Sequence, residues 1–289
     1  MTKRNPEYDF KWCPGCGDFG VKRAIELTVK DRTQELDIAM EDNVIVAGIG
    51  CSGNLVHLTD GPQPFGFHGI HGRTLPVAFG VKSANPNLQV LVVAGDGDFL
   101  SIGAEHIGPQ AKRNLDITCV IMDNGVYGLT KGQSSPTTQL GVVTSTTPGG
   151  KIEEELKPFP LYLSLGVSFV ASAFSSKPRE MASMIRQAMD YKGFSIVHIQ
   201  SPCTTYNDTY DVLRGNVKKG IDPLTYDLPE DYDPTDLQSA FDIVTKPGIP
   251  LGVLYAESNP KPLDERFDSL ERAKDNSDIF DLINGFAIK

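Results

Sequence analysis

The sequence contains no stretch of about eighteen consecutive apolar residues, the length that crosses a bilayer. Its first residues, MTKRNP, lack the apolar core of a secretory signal. It also lacks any Lys/Arg-rich run. Acidic residues outnumber basic ones 37 to 27, for a net charge of −10, which argues against nucleic acid or an anionic membrane as partner. These absences predict a cytoplasmic protein. No internal repeat or low-complexity segment is visible, so solenoid and disordered architectures are excluded. Cysteine is scarce, at five in 289 residues. An odd, small number in such a chain reads as a metal or redox set before it reads as a disulfide framework.

What is present is a regular alternation. Residues 44–48, 90–94, 117–122 and 195–200 are continuous runs rich in β-branched side chains. Helical patterns over 76–84, 101–113 and 179–190 lie among them. Strands apolar on both faces, alternating with helices, predict an α/β fold: a parallel sheet with helices on both faces. Residues 1–205 read as one binding domain. From about 206 to 289 the composition shifts to Asp, Pro and Tyr, which predicts a C-terminal extension with a charged helix over 263–274, covering the site or wrapping a partner. The Gly/Ser/Thr-rich stretch 130–151 is long for a loop in a compact domain and so reads as functional.

In open parallel sheets ligands gather at the carboxyl ends of the strands. Each strand above runs into a chemically loaded segment: Gly50-Cys51-Ser52, Gly95-Asp96-Gly97-Asp98, Asp123-Asn124-Gly125 and Ser201-Pro202-Cys203. Topology therefore places Cys51, Asp96, Asn124 and Cys203 on one edge. Asp96 and Asn124 are hard oxygen donors suited to Mg²⁺ beside a phosphate. The glycines flanking Asp96 let backbone approach a diphosphate. Either segment alone is also a common turn composition; a strand before each, one helix–strand unit apart, makes the pair specific. Cys13 and Cys16 form a CxxC. With Cys51 and Cys203 they make four candidate ligands, open to a redox dithiol, a structural zinc site or an iron–sulfur cluster. Cys119 lies within an apolar strand and reads as core.

The motifs WCPGCGDFG, GIGCSG, HGIHGR, GDGDFLSIG and DNGVYGLTKGQSSPT occur in that order between Trp12 and Thr137. Over residues 10–205 the chain resembles the β subunit of two-subunit 2-oxoacid:ferredoxin oxidoreductases, and GDG followed by DN resembles the diphosphate motif of thiamine-diphosphate enzymes. The resemblance implies oxidative decarboxylation of a 2-oxoacid such as pyruvate or 2-oxoglutarate to acyl-CoA and CO₂, with electrons passing to ferredoxin. It implies thiamine diphosphate, Mg²⁺ held by Asp96, Asn124 and the carbonyl of Val126, and one [4Fe–4S] cluster on Cys13, Cys16, Cys51 and Cys203.

By the same resemblance, Ile49, Gly50, Cys51, Ser52, Gly97, Asp98, Gly128 and Leu129 would line the cofactor. His71 and Arg73 would sit near the diphosphate, and Lys131 would meet the substrate carboxylate. Asn54 stands where some members carry a basic residue, which leaves the substrate open. His57, His106 and His198 read as packing residues. Coenzyme A, ferredoxin and an α subunit are the implied partners, the last supplying the carboxylate that activates the cofactor. A non-redox thiamine enzyme with a Cys₄ metal site is the competing reading, and a zinc-stabilised scaffold is another.

Overall fold

A computed structural model describes residues 11–59 and 64–269, together with Gly285. In chain order, helix α1 (Asp18–Glu35) precedes strand β1 (Asn43–Ala47), helix α2 (Leu55–Leu58) and strand β2 (Phe65–His68). There follow α3 (Thr74–Ala84), β3 (Gln89–Gly95), α4 (Ile107–Arg113) and β4 (Ile117–Asp123), then a small hairpin of β5 (Val126–Tyr127) and β6 (Gln133–Ser134). The remainder comprises α5 (Pro158–Ser164), β7 (Phe169–Phe174), α6 (Pro178–Asp190), β8 (Phe194–Gln200) and α7 (Tyr210–Arg214). Strand β9 (Thr225–Asp227), α8 (Leu237–Val244), β10 (Ile249–Ala256) and α9 (Leu263–Asp268) complete it.

Among the described residues eight strands form one sheet in the order β2-β1-β3-β4-β8-β7-β10-β9. Every pairing is parallel except β7 with β10. Strand periodicity splits the core in two. On β1, Val44 and Val46 enter the layer that holds Leu75 of α3, Ile107 of α4 and Tyr162 of α5. Ile45 and Ala47 enter the opposite layer, against Val21 and Ile25 of α1 and Met181 and Ile185 of α6. Each fully buried aliphatic side chain contributes about 1.5–3 kcal/mol, so residues apolar on both faces make the central strands the most strongly held part of the domain. No helix among the described residues is long and apolar enough to cross a membrane.

The stretch after residue 205 contributes strands to the sheet. Strand β10 pairs with β7 and β9 with β10, so the chain's last third extends the sheet. Asp236 caps α8 by accepting from the amides of Gln238 and Ser239. Of the charged helix expected over 263–274, α9 forms Leu263–Asp268 and ends at Ser269; residues 270–274, and the rest of the 206–289 extension apart from Gly285, lie outside the described residues. The expected helix over 101–113 begins earlier and less regularly. Residues 98–102 wind as a π-turn, with the amide of Gly103 bonded to the carbonyl of Asp98, before α4 starts at Ile107. Single π-turns recur at functional sites.

Candidate functional site

The ends of β1, β3, β4 and β8 converge, and Asp96 stands at the end of β3, 1% exposed. Its Oδ2 accepts from the Thr137 hydroxyl at 2.8 Å, and its Oδ1 takes a longer contact of 3.4 Å from the amide of Asn124. Burial first, and then the nearby Asp123 carboxylate, push the Asp96 pKa up to about 7. A buried acid of that kind is poised for a cation. The amide of Val126 donates to Asn124 Oδ1 at 3.0 Å and orients that side chain. Gly97 leaves no room for a side chain: a Cβ there would lie 2.3 Å from the Tyr127 ring, whose hydroxyl donates to the Gly97 carbonyl.

Asp98 is not directed at open space. Its Oδ1 accepts from the amides of Ile49 (3.0 Å) and Gly72 (2.9 Å) and is bonded to His71 Nδ1 at 2.5 Å. It thus joins the loop after β1 to the HGIHGR loop after β2. Gly48 is obligatory beside it, since a Cβ would lie 2.1 Å from Asp98 Oδ2. Gly72 adopts φ +70°, the left-handed region open to glycine. Arg73 turns back to the Ile102 carbonyl and to Glu105, tying its loop to the π-turn. Ser52 is buried, and a Cβ on Gly95 would lie 3.3 Å from its hydroxyl.

Cys13, Cys16, Cys51 and Cys203 line one cavity of about 200 Å³, together with Asn124 and Lys131. Gly128 and Leu129 also line it. A Cβ on Gly128 would meet Cys51 Sγ at 3.5 Å and Cys203 Sγ at 3.8 Å. Cys13 is exposed and the other three are half-buried, whereas Cys119 is fully buried in β4. Burial, and then the charge of Asp18, raise the thiol pKa of Cys16, and that of Cys51 to about 12. Burial therefore favours the neutral thiol at Cys16 and Cys51. Among the described residues no three His, Cys, Asp or Glu side chains converge on a single-ion site. Lys131 holds a left-handed backbone at φ +85°, uncommon for a residue with a side chain. Strain of that kind clusters at functional sites.

Three residues near the site carry roles that the sequence alone does not assign. Asp18, 1% exposed, accepts from Ser201, and burial pushes its pKa up to about 6. Thr137 links Asp96 to Asp123. His198, which reads as packing in the sequence, is fully buried between Asp123 (2.9 Å) and the Tyr162 hydroxyl (3.1 Å). Asp18 lies inside the WCPGCGDFG motif, where a charge beside the CxxC is a usable signal. Thr137 closes the DNGVYGLTKGQSSPT motif, which does not single it out from its neighbours, and His198 lies in an apolar strand without a local signal.

Residues 48–199 match the family described as thiamine pyrophosphate enzyme, C-terminal TPP binding domain. Residues 203–272 match the family described as the C terminal of the pyruvate ferredoxin oxidoreductase beta subunit. The chain is 41% identical over 225 residues to the 2-oxoacid:ferredoxin oxidoreductase subunit beta of Saccharolobus solfataricus, covering 77% of this chain and 70% of that one. It is 36% identical over 268 residues to the subunit beta of 2-oxoacid:ferredoxin oxidoreductase 2 of Aeropyrum pernix, covering 90% and 84%. A solved structure of 2-oxoglutarate:ferredoxin oxidoreductase from Magnetococcus marinus, with 2-oxoglutarate, coenzyme A and succinyl-CoA bound, superposes with a TM-score of 0.85 at 36% identity. The match covers 98% of this chain and 94% of that one.

Proposed function

The chain belongs to the β subunits of the 2-oxoacid:ferredoxin oxidoreductase family, with that family's thiamine-diphosphate-binding domain, and on that premise we propose that it houses both the Mg²⁺–cofactor site and a [4Fe–4S] cluster. The observation that carries the reading is the shared wall at Asn124 and Gly128. Asn124 contacts Asp96 on one side and lines the four-cysteine cavity on the other.

The residues present fit both groups. Asp96 and Asn124 offer oxygen to Mg²⁺, with the Val126 carbonyl as third protein ligand. Gly97 admits the Tyr127 ring against its backbone and so fixes the loop beside Asp96. Four thiols around a cavity suit a multi-iron cluster, whereas a zinc ion with bonds of about 2.3 Å draws its sulfurs tightly together. When bound, thiamine diphosphate supplies the carbanion-stabilising chemistry that releases CO₂. A cluster supplies one-electron transfer towards ferredoxin.

The chain's own residues position and insulate. The loops pinned by Asp98 hold Ile49 and His71 beside the site. Lys131 presents its ammonium to a substrate carboxylate at the cavity mouth, and Trp12 excludes water behind Cys51. Acyl transfer to coenzyme A and completion of the site by an α subunit belong to this reading, as does a cytoplasmic setting. Stretch 130–151 and the segment after 205 serve as cover; deleting the latter's final part is expected to impair ferredoxin reduction. The 2-oxoglutarate bound in the Magnetococcus relative, with Lys131 here, favours 2-oxoglutarate over pyruvate.

The test is 2-oxoglutarate- and CoA-dependent ferredoxin reduction by the complex purified with its α subunit under nitrogen. Turnover by the complex and none by this chain alone is expected. Full turnover by this chain alone, or decarboxylation without ferredoxin reduction, would overturn the reading.

A further inference from the structure

We infer that Thr137 is a positioning residue that restricts Asp96 to a single ligating oxygen and so sets the site's preference for Mg²⁺ over larger cations. The inference rests on the reading of Asp96 as a metal ligand.

The Thr137 hydroxyl lies 2.8 Å from Asp96 Oδ2 and 2.7 Å from Asp123 Oδ1. It is held rigidly. Asp123, 8% exposed, is fixed by the amide of Gly125 on Oδ1 (3.0 Å) and by His198 Nε2 on Oδ2 (2.9 Å). His198 is fixed in turn by Tyr162, and both rings are fully buried. On its own chain Thr137 sits inside a turn closed by the amide of Thr138 bonding back to the Ser135 carbonyl. Lys151, itself 5% exposed, donates to the carbonyls of Pro136 and Thr138 on either side. The hydroxyl cannot swing away without dismantling this set.

One hydroxyl proton serves one carboxylate at a time; with Asp123 Oδ1 already accepting from the Gly125 amide, the Thr137 proton is assigned to Asp96 Oδ2, while Oδ1 has the long 3.4 Å contact to the amide of Asn124. Ser135 is a further side-chain partner of this carboxyl group, and Oδ1, whose contact to Asn124 is long, is the oxygen assigned to the cation. Ca²⁺ takes six to eight oxygens and often binds carboxylates through both; Mg²⁺ takes one or two carboxylates within a compact octahedron completed by phosphate and water. A carboxylate limited to one oxygen suits the smaller ion.

The experiment is calorimetric titration of Mg²⁺ and of Ca²⁺ into the intact α/β complex with thiamine diphosphate present, for wild type, Thr137→Ser and Thr137→Val. The serine enzyme, which keeps the hydroxyl, is expected to retain wild-type Mg²⁺ affinity. The valine enzyme is expected to lose about tenfold to a hundredfold in Mg²⁺ affinity and much less in Ca²⁺ affinity, so that the preference narrows. Thr137→Cys, similar in size with a weak donor, is read in the same way should the valine complex fail to assemble. Unchanged Mg²⁺ affinity, or equal losses for both ions, would overturn the inference while leaving the cofactor reading intact. A wild-type complex that binds no Mg²⁺ with the cofactor would overturn that reading itself.

Discussion

The indole Nε1 of Trp12 donates to the main-chain carbonyl of Cys51 at 2.8 Å, fastening the CxxC segment to the loop after β1. Trp12 is buried and meets Phe19 edge to face, with ring centroids 5.2 Å apart. Trp12→Phe keeps an aromatic ring in the site but gives up part of the packing together with the hydrogen bond, the latter at a cost of about 1 kcal/mol. Faster loss of iron in air, at near-normal initial iron content, is expected and can be followed by the decay of visible absorbance. Wild-type decay would show that the bond does not secure the cysteine loop.

Asp98 organises two loops at once. Asp98→Ala leaves the amides of Ile49 and Gly72 without their acceptor, each such loss costing about 1–3 kcal/mol. Asp98→Asn retains Oδ1 and is expected to cost less. Urea unfolding of the two variants tests the order, and an alanine variant as stable as the asparagine one would remove Asp98 from this role.

Lys131 faces the cysteine cavity from a left-handed backbone. Loss of a charge-assisted bond of about 1.5–3 kcal/mol predicts that Lys131→Met raises KM for 2-oxoglutarate by about tenfold to a hundredfold, with little change for pyruvate. Equal effects on both substrates would assign the lysine to something other than the distal carboxylate.

The pH dependence of iron-free protein follows from Asp18. Its folded pKa, about 6, lies above the ordinary 3.8 because of burial. Its favourable contribution is therefore complete below 3.8 and is lost as pH rises through about 6. The shift corresponds to about 3 kcal/mol. Asp18→Asn is expected to be little different from wild type near pH 4 and more stable by up to that amount at about pH 7.5, measured by urea unfolding. A gap that does not depend on pH would contradict the assignment.

Much of this architecture is legible in the sequence. The four central strands are continuous β-branched runs because both their faces are buried, and each ends at a residue that lies at the site. Other elements are concealed by their chemistry. Helix α1 buries Thr28 and Arg32 beside its apolar residues, Thr28 donating to the Ala182 carbonyl and Arg32 pairing with Gln89 and Asp190, so its apolar stripe is broken. Strand β10 carries Pro250 and Gly252, the latter at φ +140°, both of which read as breakers. Strand β7, FVASAF, is dominated by small residues. Thr137 and His198 lie far from Asp96 in sequence, and only the folded loop reveals that one hydroxyl and one imidazole complete the carboxylate network.

The most direct test of the central claim is the iron and acid-labile sulfide content of the complex purified without oxygen, read with its visible spectrum before and after adding 2-oxoglutarate. The account predicts about four of each per copy of this chain, in brown protein that bleaches with substrate. It also predicts that the iron is lost in Cys13→Ser, Cys16→Ser, Cys51→Ser and Cys203→Ser but kept in Cys119→Ser. Colourless protein with about one zinc per chain would contradict it and leave a non-redox thiamine enzyme in its place.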